Sequence, residues 1–107
     1  MNELLALPER PTAVFVAGDE MAIGAIEAIH EAGLRIPEDI SVVGYDDIYM
    51  AQYITPKLTT VRQDTETIGQ HAASVLIEQI VNKKRVTTRD VIPVNLMVRQ
   101  STGPVPE

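Results

Sequence analysis

The stretch at residues 41–47, SVVGYDD, constrains this chain most. A short apolar run that closes in glycine, tyrosine and two carboxylates predicts a buried parallel strand with acids at its C-terminal end. Two other segments close in a similar way. Residues 13–20, AVFVAGDE, end in Gly18, Asp19 and Glu20, and residues 58–64, LTTVRQD, end in Arg62, Gln63 and Asp64. Open α/β sheets bind ligands in the crevice beyond the carboxyl ends of their strands. Three parallel strands would share one polar rim, and that rim is where a binding site is expected.

The intervening segments fit this reading. Residues 3–7 have the pattern of a helix end, stopped by Pro8 and Pro11, and the first strand is expected at 13–17. Asp19 is the expected N-cap of a helix reaching Ala32, with Gly33 at its left-handed C′ position and Leu34 set to touch Ile29 in a Schellman ending. That helix is apolar round most of its circumference, more than the roughly 100° stripe one sheet covers, so a second partner surface is expected. Residues 48–57 lack a clean period and read as a helical turn plus loop. Asp64 is placed to cap an amphipathic helix over 65–82. Residues 90–100 alternate Val94, Leu96 and Val98 against Asn95, Met97 and Arg99, a final strand whose start is demoted to an edge by Pro93. The tail GPVPE reads as loose. The expected fold class is α/β, a layered and mostly parallel sheet flanked by helices.

At 107 residues the chain is one domain or part of one, able to bury roughly 65% of its unfolded surface. Its 45% hydrophobic content is that of an ordinary globule, and no apolar run approaches the ~18 residues that span a bilayer, so no membrane role is expected. The net charge of −6 argues against nucleic-acid binding by this segment, because phosphate neutralisation needs clustered cations. The densest basic run, Lys83-Lys84-Arg85, reads as a solvated helix C-terminus. Without cysteine there is neither disulfide nor thiolate metal site, which suits a cytoplasmic location.

Asp46 and Asp47 are the sharpest chemical candidates. Neighbouring strand residues point to opposite faces, so the two do not converge as a catalytic acid and base. A magnesium site with Asp19, as in a phosphoryl-accepting receiver domain, lacks the lysine needed at a strand end, since Lys57 precedes its strand. Asp46 can accept two hydrogen bonds from neighbouring sugar hydroxyls, or it can cap the following turn; for Asp47 the capping role is the expectation. Phosphate-loop and nucleophile-elbow motifs are absent, and His30 and His71 stand alone. No catalytic residue, metal or cofactor is expected, and the chain does not read as an enzyme.

The run VAGDEMAIGAIEAIHEAGLRIPEDISVVGYDDI, then TPKLTTVRQD and the closing PVNLMVRQSTG, resembles the C-terminal part of the LacI/GalR family of regulators, across residues 11–103. The resemblance implies a periplasmic-binding-protein-like fold of two lobes with a small effector, expected to be a sugar, in the cleft. Residues 11–63 and 90–103 would form the C-terminal lobe. Residues 64–89 would carry a helix that packs on an N-terminal lobe outside this chain, and a DNA-binding helix-turn-helix headpiece would precede both. By position Asp46 matches the acid that holds effector hydroxyls and Gln63 a cleft residue near the hinge. Ile23 and Tyr53 match dimer contacts, implying a homodimer. Gly18 stands where the family usually has the asparagine of VAND or VTND, so Gly18 and Asp19 mark the ligand end of the first strand. The alternative reading is a soluble sugar receptor of an import system with the same fold.

Overall fold

The computed structural model describes residues 1–85 and 89–107, and these form two compact units: Met1–Arg62 with Asn95–Glu107, and Gln63–Val94. The expected α/β class holds. In the first unit, β1 (Ala13–Phe15), β2 (Ser41–Tyr45) and β3 (Thr59–Arg62) are parallel neighbours, and β4 (Asn95–Met97) closes the sheet antiparallel to β3. The three parallel strands therefore end on one rim, as their sequence endings predict.

One face of this sheet packs on α2 (Asp19–Glu31). Its buried stripe, Ala22, Ile26 and Ile29, meets Val42 of β2 with Ile36, Ile40, Ala51 and Leu58 from the connecting segments. Each large aliphatic side chain fully buried here contributes about 1.5–3 kcal/mol. The helix ends as its sequence predicts. Gly33, at φ 76°, donates its N–H to the His30 carbonyl, and the Leu34 N–H reaches Ile29, the two bonds of a Schellman ending. The start differs: Gly18, in extended backbone, is the N-cap, and Asp19 is already the first helical residue. A one-turn α1 (Asn2–Leu5) precedes β1, and a 3-10 turn (Tyr49–Gln52) fills the segment read as a helical turn.

The closing strand is shorter than its alternation suggests, and it faces the other way. Leu96 and Val98 are 58% and 70% exposed, whereas Met97 and Arg99 are half-buried. Register explains this. Met97 pairs with Thr60, which lies on the face covered by α2, so Met97 and not Leu96 turns inward. Residues 100 and 101, ahead of the tail, are held by the sheet. Ser101, fully buried, accepts from the Thr59 N–H at 2.8 Å and donates to the Val42 carbonyl at 2.6 Å, joining β2 to β3.

The second unit is built on α3 (Thr65–Asn82). Asp64 caps it as expected, its carboxylate accepting from the Thr67 N–H at 3.1 Å and hydroxyl at 2.6 Å. These bonds, the hydroxyl one foremost, hold the Asp64 carboxyl below its ordinary pKa. Within α3, His71 pairs with Asp90, which lies beyond the helix, at 2.6 Å. Leu76, Ile77, Ile80 and Val81 are exposed along α3. Residues 86–88 of the expected 64–89 segment lie outside the described residues.

Candidate functional site

Beyond Tyr45 the chain leaves β2 through two unusual residues. Asp46 has φ 112° and Asp47 has φ 53°, backbone conformations that glycine favours and other L-residues adopt at a cost. Such conformations persist where the surroundings over-determine them. Here three successive amides are fixed. The Asp46 N–H donates to the Val61 carbonyl at 2.9 Å, the Asp47 N–H to the Thr60 hydroxyl at 3.3 Å, and the Ile48 N–H to Asp19 Oδ2 at 2.9 Å. The Thr60 hydroxyl in turn donates to Asp19 Oδ1 at 2.6 Å. Out of this braced turn the Asp46 side chain is presented in an exposed residue.

Asp47 goes inward. Its side chain is 1% exposed, with Arg62 Nε at 2.9 Å from one oxygen and Arg99 Nη2 at 2.8 Å from the other. Neither contact is aligned as a hydrogen bond, so the attraction is chiefly Coulombic. Arg99 is itself held: Nη1 donates to the Leu58 carbonyl and its N–H to the Thr59 hydroxyl, both at 2.9 Å. The expected capping role for Asp47 is therefore corrected. The 3-10 turn has no side-chain cap, and the Asp47 carboxylate serves two arginines instead.

Of the other expected site residues, Asp19 reaches the same rim from below. It is 1% exposed, and its two oxygens are taken by Thr60 and Ile48, so it braces the turn and presents no oxygen outward. Gly18 is half-buried with open space where a side chain would grow. Gln63 follows β3 and opens the second unit. Ile23 is half-buried on α2, and Tyr53 is 61% exposed with its ring 5.0 Å from that of Tyr49. The residues that sequence reasoning overlooked are Thr60, Arg62, Arg99 and Gly44. An isolated glycine within a strand signals the close approach of another group, and Gly44 carries that signal for Asp19. Among the described residues no cluster of histidine and carboxylate side chains could hold a metal ion.

The chemistry open to this rim is recognition: an exposed carboxylate on a rigid turn can accept hydrogen bonds from two neighbouring hydroxyls. Comparison with known proteins agrees in kind. The family model for the periplasmic binding protein-like domain matches residues 1–102. The chain is 49% identical over 106 residues to the HTH-type transcriptional repressor PurR of Proteus mirabilis, and 42% identical to that of Escherichia coli, in each case across 99% of this chain and 31% of the repressor. It thus spans about a third of the length of the curated relatives it matches. A LacI family transcriptional regulator from Enterococcus faecium, solved with bound ribose, superposes with a TM-score of 0.84 at 41% identity, over 96% of this chain and 38% of that one. The lac repressor dimer bound to operator and the anti-inducer ONPF does so with a TM-score of 0.78 at 44% identity, over 86% and 32%. These relatives are transcriptional regulators, not enzymes. The chain belongs to the periplasmic-binding-protein-like family, and within it to the LacI/GalR regulators, where it corresponds to the C-terminal part of the effector-binding domain.

Proposed function

We propose that this chain is the effector-sensing part of a cytoplasmic LacI-type repressor. In this reading Asp46 accepts hydrogen bonds from hydroxyls of a small sugar, and Gly18 lines the same rim. Occupancy is coupled to DNA through a helix-turn-helix headpiece elsewhere in the protein. The helix α3 packs on the N-terminal lobe, and Ile23 and Tyr53 belong to a homodimer contact. The observation that carries the proposal is the exposed Asp46 at the carboxyl end of a parallel strand, on backbone fixed at three successive amides. That ribose, sucrose and cellobiose are bound by related regulators supports the sugar class.

The test uses the full-length protein and its operator, with fluorescence anisotropy read across a panel of ribose, sucrose and cellobiose. One sugar is expected to change operator affinity, and Asp46→Asn is expected to shift that response to higher sugar concentration while sparing operator affinity without sugar. A response unchanged in Asp46→Asn would refute the assignment of Asp46.

A further inference from the structure

Asp47 has no place in the binding chemistry proposed above, yet its side chain is buried between two arginines. We propose that Asp47 is a positioning residue for effector binding: its ion pairs with Arg62 and Arg99 hold the turn that aims Asp46. The inference rests on the reading of Asp46 as the ligand's hydrogen-bond acceptor.

Two adjacent non-glycine residues at φ 112° and 53° are strained, and a strained turn relaxes unless something holds it. Hydrogen bonds fix the amides of residues 46, 47 and 48, but they act only on the main chain. The Asp47 side chain supplies a further constraint. With its carboxylate between Arg62 and Arg99, it cannot rotate outward without leaving both guanidinium groups. Those partners come from separate places, the end of β3 and the segment just after β4, so the turn is tied to two strands at once. Asp46 shares a peptide bond with this anchor. A shift at Asp47 therefore becomes a shift of the Asp46 carboxylate, the group that must meet two hydroxyls together.

A purely structural Asp47 and a positioning Asp47 differ in one respect. Positioning acts through Asp46 and has nothing to act on once that carboxylate is removed. The experiment is a double-mutant cycle in the full-length protein, with the sugar found in the operator assay as titrant. Affinity is measured by calorimetry and unfolding by thermal melting. Asp47→Asn keeps the side chain's shape and its tolerance of positive φ but removes the charge, and is expected to weaken binding roughly tenfold. Arg62→Met, at a side chain that is 52% exposed, removes one anchor at little cost to folding and is expected to weaken binding in the same direction. In an Asp46→Ala background, Asp47→Asn is expected to cause no further loss of affinity. If Asp46→Ala weakens binding while Asp47→Asn and Arg62→Met lower only the melting temperature, the positioning role is overturned and the role of Asp46 stands. Additive losses in the double variant would likewise overturn it, since Asp47 would then act independently. If Asp46→Ala binds like the parent, both assignments fall together.

Discussion

The carboxylate of Asp19 occupies the place where a side chain on Gly44 would have to begin. A β-carbon at residue 44 would overlap Asp19 Oδ1 and come within 3.0 Å of the Leu58 side chain. Gly44 is thus what allows a helix residue to pass its acid across β2 to Thr60 and the Ile48 amide. Gly44→Ala is expected to destabilise the fold by about 1–3 kcal/mol through overpacking. Because Asp19 is the obstacle, the costs of Gly44→Ala and Asp19→Ala should be strongly non-additive in denaturant unfolding.

The two arginines that flank Asp47 should not be equivalent. Arg99 is 13% exposed and also donates to the Leu58 carbonyl, whereas the Arg62 side chain is 52% exposed. Removing one partner of a buried pair leaves an uncompensated charge, so Arg99→Met is expected to cost about 3 kcal/mol. Water screens Arg62, and Arg62→Met should cost less than about 1 kcal/mol. Urea unfolding of both variants orders them.

A second acid has a legible pH signature. Asp39 receives the Arg35 side chain at 3.0 Å on each oxygen and the Arg35 N–H at 2.7 Å. The side-chain bonds, then the backbone one, lower its pKa to about 2, from an ordinary value of about 3.9. A carboxyl with a depressed pKa adds stability above its ordinary value and loses it as the pH falls through the depressed one. NMR titration should therefore find Asp39 ionised down to about pH 2. Arg35→Met should move its midpoint part of the way back, because the backbone bond survives the change.

Association is the third observable. Tyr49 and Tyr53 are 73% and 61% exposed, and Ile23 is half-buried on α2. If these residues belong to a dimer contact, Ile23→Glu should raise the dimer dissociation constant of the full-length protein at least tenfold. Analytical ultracentrifugation across a dilution series measures it, and an unchanged constant would place the contact elsewhere.

Local signals in the sequence carried far, while long-range pairings stayed hidden. The three strand endings, the Gly33 ending and the Asp64 cap each rest on residues within a few positions of one another, and each is found in the structure. The inward turn of Asp47 depends on Arg99, 52 positions along the chain, and no local pattern announces it. Asp19 looked like a rim acid because it follows a strand, but its burial depends on Thr60, 41 positions away. The closing strand misled for a related reason. Its apolar alternation is real, yet register with β3 turns Leu96 and Val98 away from the α2 face and brings Met97 in.

In the function proposed here Asp46 holds the effector. Calorimetric titration of the full-length Asp46→Ala protein with the active sugar tests it most directly. A hydrogen bond to a charged group is worth about 1.5–3 kcal/mol, so affinity should fall roughly ten- to a hundredfold. Parental affinity in Asp46→Ala would show that Asp46 does not hold the effector.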